Sequence, residues 1–215
     1  MLDMRAILKA LAQRRPVLHS EADFQHALAW EIHTQPPEPD VRLEWPMRDG
    51  AKRAHVDIRV RLAGKTLLIE VKYLTAEFNN EVNGEQFNLL NHSAQDTGRY
   101  QFCADIARLE RFVRPDSAAS GCAILLTNDS YYWESTPSRK HRRDEDFRLA
   151  PGRVLEGELR WRPEPAQWAV QQKVDHPITL TGAYTLSWRD YYEHDKSPNG
   201  KFRYLLVEVS ARRVR

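Results

Sequence analysis

The stretch Val56-Asp57-Ile58-Arg59-Val60-Arg61-Leu62-Ala63-Gly64-Lys65-Thr66-Leu67-Leu68-Ile69-Glu70-Val71-Lys72-Tyr73 decides the fold. Apolar residues recur at every second position, first as Val56, Ile58, Val60 and Leu62, then as Leu67, Ile69, Val71 and Tyr73. Both halves therefore read as strands with one buried face. Ala63-Gly64 supplies a tight two-residue turn between them. With Leu62 facing Lys65 across that turn, counting back sets Asp57 opposite Glu70. Asp57, Glu70 and Lys72 all stand off the apolar set. Two like charges directly opposed destabilise a sheet, and a divalent cation between them removes the conflict.

Outward from this hairpin, Val41, Leu43 and Trp45 alternate in a preceding strand, reached through the connector Pro36-Pro37-Glu38-Pro39. Before the prolines, Ser20 is a good N-cap, Asp23 suits the positive helix end, and Phe24, Leu28 and Ile32 form a stripe down to about His33. Met4 to Ala12 reads as another short helix. After Tyr73, the Asn-rich stretch from Ala76 to Ala94 has poor periodicity, and a connection that long is usually functional or partly helical. Its Asn79, Asn80, Asn83, Asn88 and Asn91 read as turn builders. A helix follows from Asp96 to Arg114, with Tyr100, Cys103, Ile106, Ala107, Leu109 and Val113 on its core face and Pro115 ending it. Cys122 to Thr127 is apolar enough for a strand buried on both faces. Strands then follow at Val154 to Trp161, Trp168 to Val174, Ile178 to Trp188 and Phe202 to Val209, the last two linked by Ser197-Pro198-Asn199-Gly200. Trp133, Trp161, Trp168 and Trp188 read as core. The expected class is α/β (α+β), with helix, three strands, helix and strand around a central mixed sheet. Residues 1–19 form a helical segment, 20–130 the core, and 131–215 a β-rich elaboration packed on it as one domain.

The chain has 215 residues, 41% of them hydrophobic and 29% charged, which is enough apolar material for a sizeable core. No run approaches the roughly 18 to 20 apolar residues of a spanning helix, and the N-terminus reads as no signal peptide. Two cysteines cannot staple a secreted framework. A cytoplasmic protein without membrane contact is expected. The net charge of +2 balances 32 basic against 30 acidic residues and settles nothing about nucleic acid. Arg139 to Arg143 is a charge run followed at once by three acids, which suits a solvated face.

Several motifs fail on inspection. Gly64-Lys65-Thr66 resembles the end of a phosphate-binding loop, but position 59 is Arg where the first Gly is required, and the setting is a strand-strand turn. No GxSxG elbow or HExxH helix is present. Asp57 with Glu70-Val71-Lys72 remains. An acid-x-Lys triplet is commonplace, so the weight lies in its placement on adjacent strands. Two carboxylates and the Val71 carbonyl are oxygen ligands that suit Mg²⁺ or Mn²⁺. Such an ion binds a scissile phosphate oxygen and lowers the pKa of an attacking water. Lys72 can serve that water or the phosphate as a point charge.

In these residues and this element order the chain resembles the PD-(D/E)xK nuclease superfamily, with its restriction-endonuclease-like fold, over about Ser20 to Thr127. The resemblance implies metal-dependent cleavage of DNA, less often RNA, with Mg²⁺ or Mn²⁺ at Asp57, Glu70 and the Val71 carbonyl and with Lys72 as a catalytic residue. It further implies an acid on the first helix, matched by Glu21, with Glu31 the other candidate. Val56 stands where the family has proline. A Gln-x-x-x-Tyr pair of some members is approached by Gln95 and Tyr100, one residue too far apart, and Arg99 beside them could grip phosphate. Two-strand cutting would favour a homodimer. The rival expectation is a nuclease-like fold without catalysis, serving as a nucleic-acid-binding or assembly module.

Overall fold

A computed structural model describes residues 2–134, 142–162, 169–170, 174–194 and 197–211. The expected strand at Trp168 to Val174 and the charged run Arg139 to Arg143 lie mostly outside those residues. Two helices, α1 (Met4–Arg14) and α2 (Glu21–His33), open the chain. Ser20 caps α2 by accepting the Asp23 amide at 3.1 Å. Asp23 in turn accepts from Arg15 at 2.8 and 2.9 Å and from the His19 amide at 2.9 Å, so the α1–α2 junction is fixed by one carboxylate.

Three antiparallel strands follow, β1 (Asp40–Asp49), β2 (Lys52–Leu62) and β3 (Lys65–Leu74). Ala63 and Gly64 both have positive φ, at 49° and 76°, and Leu62 pairs with Lys65 as the two-residue turn requires. The Asn-rich stretch is a hairpin instead of a helix or an irregular loop: β4 (Phe78–Val82) and β5 (Glu85–Leu89) turn at Asn83-Gly84, with φ of 53° and 82°. Helix α3 (Gln95–Val113) then returns the chain so that β6 (Ala119–Thr127) runs parallel to β3.

Beyond β6, β7 (Val154–Leu159) and β8 (Ile178–Thr185) form a separate ribbon. β9 (Trp188–Glu193) and β10 (Lys201–Ser210) join the main sheet, whose order is β1-β2-β3-β6-β10-β9. The single strand expected from Ile178 to Trp188 is thus two strands in different sheets, separated by Leu186-Ser187. The C-terminal part supplies two of the six strands of the central sheet, so a division at residue 130 cuts through it.

The sheet is covered on both faces. Ile58, Val60, Ile69, Val71 and Tyr73 pack with α1, α2 and the β4–β5 hairpin. Leu68, Ala123, Leu125, Leu205 and Val207 pack with α3 and the β7–β8 ribbon. Trp188 on β9 and Trp161, which lies just past the end of β7 and not on the strand expected for it, are both buried in this second layer. Among the described residues no helix is long and apolar enough to cross a membrane.

Candidate active site

The site lies where β2 and β3 part. Their ladder runs from Leu62–Lys65 to Ile58–Ile69 and stops, so Asp57 and Glu70, next in the count, are not paired as the sequence implied. Val56 also leaves the face expected for it: it packs in the α3 layer, while Ile58 and Val60 pack in the α2 layer. The alternation therefore slips at Asp57. The cause sits on the neighbouring strand, where Glu44 takes φ of 48° and drops out of the ladder opposite Asp57. Gln25 of α2 fills the gap, its side-chain amide donating to Glu44 at 2.7 Å and to the Asp57 carbonyl at 2.8 Å.

Past this slip, β3 has no strand on its β2 side, and carboxylates cap its amides instead. Asp57 Oδ2 accepts from the Val71 N–H at 2.7 Å, and Glu21 Oε2 accepts from the Tyr73 N–H at 2.9 Å. A strand residue's N–H and C=O point to the same side, so the Val71 carbonyl faces the same gap. Lys72 Nζ lies 3.4 Å from that carbonyl, 3.4 Å from Asp105 Oδ2 and 3.8 Å from Glu21 Oε1. Glu70, only 1% exposed, is held by Arg108, whose Nε donates to Oε1 at 2.9 Å and whose Nη2 stands 2.8 Å from Oε2. That second contact is an ion pair without hydrogen-bonding direction, which leaves Glu70 Oε2 unsatisfied, as is the buried Asp105 Oδ2. The same Arg108 Nη2 donates to Asp105 Oδ1 at 2.8 Å.

Four carboxyl groups, Glu21, Asp57, Glu70 and Asp105, thus surround two cations, Lys72 and Arg108. Burial pushes the Glu70 carboxyl up to about 8 against the pull of Arg108, with Asp105 and Asp57 adding to the rise. Burial likewise raises Asp105, opposed by Lys72 and Arg108. Burial disfavours the Lys72 ammonium, yet Asp105, Glu21, Asp57 and Glu70 outweigh it and hold the amine above the usual lysine range. Two acids in excess of the cations, with Glu70 Oε2 and Asp105 Oδ2 held only by ion pairs, and a carbonyl in the same gap form a donor set that fits a hard divalent cation. Among the described residues no three His, Cys, Asp or Glu side chains already converge as a metal cage. Mg²⁺ is commonly held by only one or two carboxylates plus water and substrate oxygens.

The other expected site residues go elsewhere. Glu31 is 2% exposed and paired with Arg14. Gln95 donates to Asp129 at 3.0 Å, and Arg99 is 3% exposed, bound to Asp144 at 2.5 Å and the Tyr131 carbonyl at 2.8 Å. Tyr100 stacks on Trp161 and donates to the His176 carbonyl at 3.1 Å. These three bind the fold together, and the nucleic-acid role expected for them is not carried forward. Gln25, Asp105 and Arg108 were missed by sequence reading. Asp105 had a signal: it stands on the apolar face of α3 between Phe102, Ile106 and Leu109. A surface cleft lies between α1 and the β9–β10 edge, and no member of this cluster lines it. Compared with protein-family models, curated proteins and solved structures, the chain matches none of them.

Proposed function

We propose that this protein is a metal-dependent nuclease with a restriction-endonuclease-like core, hydrolysing phosphodiester bonds in DNA. The observation that carries the reading is the carboxylate cluster at the β2–β3 parting, with Lys72 inside it. Asp57, Glu70 and the Val71 carbonyl would hold the ion. Bound there, Mg²⁺ or Mn²⁺ would polarise a phosphate oxygen and make water a competent nucleophile. Lys72 stays protonated in this acidic setting, so it orients water or stabilises phosphate charge and does not act as a base. Glu21 steadies the edge of β3 through Tyr73 and keeps its other oxygen beside Lys72. Arg108 must release Glu70 before that carboxylate can serve as a ligand, and Asp105 keeps hold of the freed guanidinium.

One observation favours the non-catalytic module instead. Arg108 already neutralises Glu70, as a structural ion pair would. Cleavage of supercoiled, linear and single-stranded DNA in Mg²⁺ or Mn²⁺ separates the readings. The nuclease cuts with metal, fails in chelator and fails as Glu70→Ala; a module cuts under none of these conditions.

A further inference from the structure

We propose that the outer half of the β1–β2 ribbon grips a nucleic-acid backbone and leads it into the neighbouring site; the inference rests on the nuclease reading of that site. β2 pairs with β3 only from Ile58 onward, so residues 46–55 continue as a two-stranded arm. One face of the arm, with Met47 and Ala54, lies on the core. Arg48 and Arg53 are directly opposed on the other. Both are exposed, and neither makes an ion pair or hydrogen bond with any described residue. Lys52, at the tip, is opposed to Asp49 on the core-facing side and is not part of this pair.

The same ribbon shows what a purely structural arginine pair looks like. Arg42 and Arg59 are also opposed, and Asp40 bridges them at 2.7 Å to each. Arg48 and Arg53 have no such acid. The nearest acid along β1, Asp49, is gripped by Arg111 at 2.7 and 2.6 Å and is taken out of use. Opposed like charges cost stability, so an uncompensated pair implies a ligand that supplies the counter-charge. Arginine forks match phosphate oxygens. Arg111 lies three residues beyond Arg108 on α3, so one helix face holds both Glu70 and the core-facing side of the arm, which leaves the Arg48–Arg53 face free on the other side. Along β2 the four residues from Arg53 to Asp57 span about 13 Å, or about four base-pair rises along a duplex axis.

The test measures binding of the full chain to a fluorescein-labelled DNA duplex in chelator, across a series of salt concentrations. Arg48→Glu/Arg53→Glu should lose about tenfold or more in affinity and flatten the log–log salt slope by about two. Arg48→Glu alone turns a repulsive pair into an attractive one, so its melting temperature should hold or rise while binding falls; a structural role predicts no change in binding. Wild-type protein that ignores the duplex, a double variant with unchanged affinity and slope, or preference for an acidic peptide over DNA would each overturn the inference. Duplex binding with no metal-dependent cleavage sinks the nuclease reading alone. Cleavage with binding untouched by the double variant sinks the ribbon alone.

Discussion

Replacing Arg108 with leucine should weaken the metal-free protein and strengthen its response to metal. The guanidinium is the only cation within 3 Å of the buried Glu70 carboxylate among the described residues, and it also braces Asp105. Removing one partner of a buried pair costs about 3–5 kcal/mol when the other stays charged. Glu70 can escape part of that cost by keeping its proton, since burial already holds it up to about 8. The lower end, about 3 kcal/mol, is therefore expected. For a chain of this length that is a fall in melting temperature of about 6–12 °C in chelator. With Mn²⁺ the order changes, because no resident cation has to leave Glu70. The Mn²⁺-induced rise in melting temperature should be larger in the variant than in the wild type. Calorimetry of both proteins, with chelator and with Mn²⁺, provides the four numbers. An unchanged melting temperature in chelator, or equal Mn²⁺ increments, would show that Arg108 neither supports Glu70 nor competes with the metal for it.

Further outcomes concern chemistry, protonation and packing. Asp57→Ala, Glu70→Ala and Lys72→Ala should each abolish DNA cleavage while duplex binding in chelator persists, and Glu21→Ala should cost less; retained cleavage in purified Glu70→Ala protein would remove the mechanism. In metal-free buffer the folded chain keeps a proton on Glu70 up to about 8, whereas the unfolded chain releases it near 4.5. The folded state then binds more protons in between, so this contribution is fullest below pH 4.5 and is lost as pH rises through about 8. Urea midpoints should fall from about pH 5 to about pH 8.5, and a rise would contradict the burial of Glu70. Gly98→Ala should destabilise the protein although alanine is the better helix former by about 1 kcal/mol, because a Cβ there would meet the Tyr132 hydroxyl and Leu74. A thermal melt at or above wild type would show that these neighbours can yield.

Much of this was legible because local rules and tertiary packing agree. The Ala63-Gly64 turn set the β2–β3 register, and the α2 and α3 stripes set those helices. Asn83-Gly84 carried an equally good turn signal, but the asparagines around it hid the apolar positions Phe78, Val82, Phe87 and Leu89. The parting at Asp57 was not legible. It depends on the left-handed Glu44 and on Gln25 reaching in from another element, and no spacing encodes either contact. Tyr100 shows the opposite case: its place on the apolar stripe of α3 already pointed inward, where it stacks on Trp161 and donates to the His176 carbonyl.

The central claim is that Asp57 and Glu70 together hold one divalent ion. Titrating the metal-free protein with Mn²⁺ and following free Mn²⁺ by its electron paramagnetic resonance signal tests this without any nuclease assay. Wild-type protein should bind one tight Mn²⁺ per chain, and both Asp57→Asn and Glu70→Gln should lose that site with the fold retained. Wild-type protein that takes up no Mn²⁺, or variants that bind it as tightly as wild type does, would contradict the claim.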